Sequence, residues 1–132
     1  MAKRSDRRAV ASCPCGSGAP YDQCCGALHQ GRAAAATAEQ LMRSRYAAFV
    51  VGDADYLLRT WATATRPPDL SLDNDLRWTG LEILATTAGT PFHTEGSVEF
   101  RAGFIADGHP GDQYEHSRFV REDGLWVYVE AL

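Results

Sequence analysis

Lysine is almost missing from this sequence: Lys3 is the only one among 13 basic residues. Arginine takes its place, a choice that follows genome composition and also suits bidentate contacts to carboxylate or phosphate. An excess of positive charge is missing too. The formal net charge is -4, so no whole-molecule electrostatic argument favours DNA or an anionic membrane. No apolar run reaches the length of a membrane span. Basic residues near the start are followed by no apolar signal core. Those two absences lead us to expect a cytoplasmic protein with reduced thiols. The thioredoxin spacing Cys-x-x-Cys, the twelve-position calcium loop and the nucleophile elbow are all absent.

What remains is ordinary for a globular chain: 132 residues, 45% hydrophobic and 23% charged. That suffices for one domain with its own core and a short appendage. Three zones are expected. Residues 1–12 form a basic, disordered tail. Residues 13–36 hold every cysteine, many glycines and a closing alanine run. Residues 37–132 form a compact α+β domain.

In that last zone Thr37 and Gln40 fit a capping box, with Glu39 placed for the helix dipole. Leu41, Met42, Tyr46, Phe49 and Val50 recur at helical spacing, and Gly52 stops the helix. Asp53 caps a shorter helix through Tyr56, Leu57, Leu58 and Trp61. Strands are expected over 76–86, 96–105, 113–121 and 125–131. In the second, Val98, Phe100, Ala102 and Phe104 alternate with Glu99 and Arg101. Asp107-Gly108-His109-Pro110-Gly111-Asp112 reads as a long turn, and Glu122-Asp123-Gly124 as a hairpin. Helices followed by an antiparallel meander argue α+β.

Cys13-Pro14-Cys15-Gly16-Ser17-Gly18 and, further on, Tyr21-Asp22-Gln23-Cys24-Cys25-Gly26 make two close pairs of soft ligands around a loop. Cys13, Cys15, Cys24 and Cys25 are therefore the expected ligands of one metal ion, zinc in first place, since Zn²⁺ takes four thiolates tetrahedrally. Glycine amides are expected to turn toward sulfur. Disulfide pairs, a redox pair and iron remain alternatives. His29 lies near enough to replace Cys25, or it is an exposed loop histidine. A shell closed by four cysteines keeps no open position, which points to structural zinc.

These residues resemble the SEC-C motif, first described at the C-terminus of the SecA translocation ATPase, where it is a zinc knuckle that docks the SecB chaperone. The usual motif is lysine-rich around its tyrosine; Ala19-Pro20 and Asp22-Gln23 stand in those places here. Leu41-Met42-Arg43-Ser44-Arg45-Tyr46-Ala47-Ala48-Phe49, Asp53-Ala54-Asp55-Tyr56-Leu57 with Thr60-Trp61, Glu115-His116-Ser117-Arg118-Phe119 and Gly124-Leu125-Trp126-Val127-Tyr128 resemble the uncharacterised YchJ-like family. The resemblance implies an NTF2-like cone, helices packed on a curved antiparallel sheet, behind the knuckle. It also implies a protein partner related to translocation or the ribosome, or a homodimer. It supplies no reaction.

A cone of this kind encloses a pocket, whose candidate residues are Arg43, Arg45, Trp61, Glu99, Glu115, His116 and Tyr128, with Ser117 beside them. Glu115 and His116 are sequential in a strand and point to opposite faces, so they form no dyad. An ion pair between a strand carboxylate and a helix arginine is the expected structural arrangement. The expected function is a non-enzymatic adaptor or binding module. The alternative is a small enzyme or ligand binder using the pocket.

Overall fold

A computed structural model describes residues 11–132 apart from Asn74. Residues 1–10 of the expected tail thus lie outside the described residues. Ala11 and Ser12 run beside the following loop: the Tyr21 amide donates to the Ala11 carbonyl, and Ser12 bridges Pro20.

A 3₁₀ turn at Tyr21–Gln23 leads into α1 (Cys25–His29). Then come α2 (Ala38–Val51) and α3 (Ala54–Arg59). Four strands follow: β1 (Leu76–Ala88), β2 (Glu95–Ala106), β3 (His109–Glu122) and β4 (Leu125–Ala131). They form one antiparallel meander in the order β1-β2-β3-β4. The register slips at Trp78/Gly80, Ile83/Ala85 and Arg118/Phe119, and such bulges bend and twist a sheet.

Local signals explain the helix ends. Thr37 Oγ1 accepts the Gln40 amide at 3.0 Å. The Gln40 side chain returns to the Ala36 amide at 2.7 Å, one residue ahead of a regular capping box. Gly52, left-handed at φ 80°, ends α2, and Asp53 caps α3 through the Tyr56 amide. That shorter helix stops at Arg59, before Trp61. The chain there leaves the helix and lies beside β4: Tyr128 donates to the Thr60 carbonyl, and Ala62 donates to the Tyr128 carbonyl. Trp61 is consequently held next to Tyr128.

Helix α2 is the centre of the molecule. Ala38, Leu41, Met42 and Tyr46 pack on the inner face of the sheet against Val98, Phe100, Ala102, Phe119 and Trp126. Fully buried large side chains such as Phe119, Leu41 and Val98 stabilise by roughly 1.5–3 kcal/mol each. The opposite side of α2 carries small residues. Ala47 meets the cysteine knuckle, while Ala48 packs on Leu28, Tyr56 and Leu57. Val50, expected in the core, is exposed.

The long turn expected over 107–112 is also corrected. Only Asp107 and Gly108 turn, both at positive φ, as a two-residue hairpin prefers. His109 and Pro110 already pair with Ala106 and Ile105. Pro110 is tolerated there because β3 meets β4 only from Ser117 onward, leaving the missing N–H on an unpaired edge.

Candidate metal centre and pocket

The knuckle is a tight loop closed on itself. The Cys13 amide donates to the Ala19 carbonyl at 2.8 Å, and the Cys24 amide to the Tyr21 carbonyl at 3.0 Å. Gly16 and Gly18, at φ 85° and 87°, reverse the chain between the two cysteine pairs. The Cys15 and Cys25 amides face the Cys13 sulfur, and the Ser17 amide faces the Cys15 sulfur. Gly26 serves close approach, since a Cβ there would stand 2.7 Å from the Tyr21 carbonyl oxygen.

All four sulfurs lie within 4.8 Å of one another. Cys15 and Cys24 are 3.7 Å apart, and Cys24 and Cys25 4.0 Å. Thiolates at ~2.3 Å from a single tetrahedral ion stand ~3.8 Å from each other, so the donor set fits. No two of the four are joined in a disulfide. Cys13, Cys15 and Cys25 are buried, whereas Cys24 is partly open and meets the Ser17 hydroxyl at 3.1 Å. As thiols they do not share charge evenly. Hydrogen bonds from Cys13 and Cys25 pull Cys15 far down. Hydrogen bonding to Cys15 pushes Cys13 up to about 11, and Cys13, Cys15 and burial push Cys25 higher still. A divalent cation removes that conflict by binding the deprotonated form of each.

His29 is neither a ligand nor an exposed loop residue. It is buried, with Nδ1 2.6 Å from the Tyr21 hydroxyl and Nε2 2.8 Å from the Ser44 carbonyl. A carbonyl only accepts, so Nε2 carries the proton and Tyr21 donates to Nδ1. Burial holds the ring below its ordinary pKa. Tyr56 donates to Ser44 Oγ, which donates to the Leu41 carbonyl. Tyr21 in the knuckle is therefore wired through α1 to α2 and α3.

Arg43 belongs to this same interface and not to the pocket. Its guanidinium donates to the Cys15 carbonyl at 2.8 Å and pairs with Glu39 at 3.0 Å. Arg45, about 200° further round the helix, points the other way. Glu99 and His116 also lie elsewhere. They are register partners on β2 and β3, and Glu99 accepts from Tyr114 at the surface.

The pocket opens between α2 and the sheet, with a volume of about 320 Å³. Arg45, Trp61, Glu115 and Tyr128 line it as expected, together with Ser117. Met42, Tyr46, Phe49, Trp78, Phe100, Ala102 and Gln113 complete the wall. Gln113 was readable from strand alternation with Glu115 and Ser117; the aromatic wall reads in sequence simply as core.

The expected ion pair is not what holds Arg45. Among the described residues no ion pair includes it. Its Nη1 donates to the Leu57 carbonyl and to Thr60 Oγ1, each at 2.7 Å. The guanidinium carbon lies 5.0 Å from the Trp61 ring centre and 4.8 Å from that of Tyr128. Burial lowers the group to about 10, so it stays charged at neutral pH. Glu115 Oε2 accepts from Ser117 at 2.5 Å and from Tyr128 at 3.2 Å. Burial, then the Glu115 charge, pushes the Tyr128 phenol up to about 12.

With this geometry in hand, the likeness to known proteins is informative. Residues 37–131 match the model of the YchJ middle NTF2-like domain. The chain belongs to this family. Residues 11–27 match the SEC-C motif. A UPF0225 protein of Streptomyces coelicolor is 58% identical over 119 residues, which span 90% of this chain and 93% of the relative. One from Deinococcus radiodurans is 47% identical over 121 residues, spanning 90% and 87%. Among solved structures, a SEC-C motif containing protein from Rhodopseudomonas palustris superposes with a TM-score of 0.80 at 33% identity, covering 92% of this chain and 98% of that one. A SEC-C motif containing protein from Psychrobacter arcticus gives 0.77 at 27%, covering 93% and 82%. The YchJ-like fold here is thus an NTF2-like α+β domain preceded by a SEC-C cysteine cluster that can hold a metal ion. None of the described helices is long and apolar enough to cross a membrane.

Proposed function

We propose that Cys13, Cys15, Cys24 and Cys25 bind one structural zinc ion and that the protein is a non-enzymatic adaptor whose knuckle contacts a macromolecular partner. The observation that carries this reading is the convergence of four sulfurs within 4.8 Å. Four thiolates satisfy zinc completely, so the ion shapes a surface and has no free position for a substrate. The bound ion would supply cross-linking of the loop; Cys15 and Cys13 would hold it from the first turn, Cys24 and Cys25 from the second. The outward surface of the knuckle is the loop of exposed Gly16, Ser17 and Gly18 beside Cys24. A protein partner, of the translocation or ribosomal kind that the motif implies, is the occupant favoured by that small polar rim, in a protein of the cytoplasm.

The test compares zinc-loaded wild type with the Cys24→Ser/Cys25→Ser variant in affinity capture, followed by reconstitution with any purified partner. The expected result is a partner that binds wild type directly and fails to bind the variant. Identical partners for both, with metal lost from the variant, would overturn the docking role.

A further inference from the structure

We propose that the cavity between α2 and the sheet binds one small monocarboxylate with an apolar body the size of an aromatic ring. This is separate from the metal centre and does not depend on it.

Three observations converge. First, Arg45 is a buried cation, only 4% exposed, that feels the Glu115 charge but makes no ion pair with any carboxylate of the described residues. Its Nη1 is used by Leu57 and Thr60, but Nε and Nη2 make no hydrogen bond to the described residues. Burying a guanidinium with part of its donor fork unused is unfavourable unless something completes it. The Trp61 and Tyr128 rings, edge-on to each other with centres 5.2 Å apart, both lie to one side of it. Arg45 lines the cavity, and its unused Nε and Nη2 make up a two-donor edge of the kind that a carboxylate meets bidentately.

Second, Trp61 lines the same cavity, with its indole Nε1 buried and without a hydrogen-bond partner among the described residues. That atom is closed off by protein, so Trp61 meets the cavity with its ring and not with its N–H, whereas the unused Arg45 nitrogens beside it are not closed off in this way. Trp126, which does not line this cavity, offers a contrast, since its Nε1 donates to the Ala36 carbonyl.

Third, the wall beyond the polar residues is Met42, Tyr46, Phe49, Trp78 and Phe100, which suit an apolar or aromatic body. The volume of 320 Å³ lies at the lower end of small-molecule pockets, which run about 300–1,000 Å³. Glu115, in the same wall, sets the charge limit. Its carboxylate is already engaged by Ser117 and Tyr128 and repels a second negative charge. A single carboxylate fits one arginine; a dicarboxylate or a phosphate does not.

The test uses the full-length, zinc-loaded protein and three probes of matched shape: phenylacetate, its neutral amide phenylacetamide, and phenylmalonate. Cyclohexanecarboxylate and inorganic phosphate complete the panel. Binding is followed by calorimetry and by the indole N–H resonances of the three tryptophans. Phenylacetate or cyclohexanecarboxylate should saturate one site and move the Trp61 indole resonance while leaving that of Trp126 in place. The amide should bind about tenfold more weakly or worse, as should phenylmalonate and phosphate. Trp61→Phe keeps an aromatic face but loses one ring of the indole that lies against both Arg45 and the cavity, so a folded variant should weaken phenylacetate several-fold. Arg45→Lys keeps the charge and loses the fork, so a folded variant should bind about tenfold more weakly. Equal binding of acid and amide, or no movement of the Trp61 resonance with any carboxylate of the panel, overturns the proposal without recourse to either variant.

Discussion

Gly26 stands where no side chain has room. A methyl group there would meet the Tyr21 carbonyl oxygen at 2.7 Å and the Tyr21 ring at 2.9 Å. Backbone cannot yield as a flexible side-chain tip does, so Gly26→Ala should lose about 1–3 kcal/mol, the usual range for overpacking. Denaturant midpoints would measure it, with Gly80→Ala as the control, since a methyl there meets nothing within 4 Å. At the same scale, His29 is a buried neutral ring. Burial lowers its folded pKa below the ordinary 6.5. Both folded and unfolded forms are neutral well above pH 6.5, and its contribution is then complete. As pH falls below that value the unfolded chain takes the proton first, and stability is lost down to the folded pKa. Ring resonances followed through an acid titration should show His29 protonating below 6.5. Protonation at or above 6.5 would contradict the hydrogen-bond assignment from Tyr21 and to Ser44.

Among the elements, α2 carries two jobs on two faces. Its cap is local: Thr37→Ala removes the acceptor for the Gln40 amide and should cost about 1 kcal/mol in thermal or chemical unfolding. Its far face anchors the knuckle. Arg43→Ala removes the donor to the Cys15 carbonyl and should speed chelator-driven loss of metal. The effect should lie toward the low end of the ~1.5–3 kcal/mol expected for a charge-assisted hydrogen bond, because the side chain is 27% exposed. Glu39→Ala, which breaks only the exposed ion pair with Arg43, should change release little. If the two variants release metal alike, the Cys15 contact is not what fastens the knuckle to the helix.

Elements of this kind were legible where the signal is local. Thr37, Gly52 and Asp53 mark helix ends through their own side chains or φ, and Val98, Phe100 and Ala102 mark the inner face of β2 by alternation. The long turn over 107–112 misled because Gly, Pro and Asp read as turn wherever they stand. What the composition hides is that β3 has no β4 neighbour at Pro110. Arg43 and Arg45 were equivalent in sequence. Only the packing of α2 between knuckle and sheet tells which arginine meets the cysteines and which meets the cavity. Arg45, Trp61, Glu115 and Tyr128 are brought together by tertiary register, which no window of sequence contains. The cysteine cluster was legible because four soft donors fall within 13 consecutive residues.

For the whole molecule, the knuckle is part of the domain and not a tethered appendage. Cys13, Cys15, Tyr21 and Cys25 pack on Ala47 of α2, and Tyr21, His29, Ser44 and Tyr56 join three helices through buried hydrogen bonds. Metal removal should therefore lower the melting temperature of the whole chain, while the sheet core around Phe119 and Val98 keeps its far-ultraviolet signature. The face built from small residues, Ser44, Ala47 and Ala48, explains why this integration escapes a reading based on apolar periodicity: small residues permit close approach without announcing burial. Acid should release the metal as protons compete for thiolate. The most direct test of the account is metal analysis of protein purified without added zinc, paired with counting of reactive thiols. The account predicts one equivalent of zinc per chain, four thiols unreactive until it is chelated, and loss of metal in the Cys24→Ser/Cys25→Ser variant. Protein that carries no metal, with all four thiols freely reactive and no change in melting temperature on adding zinc, would contradict it.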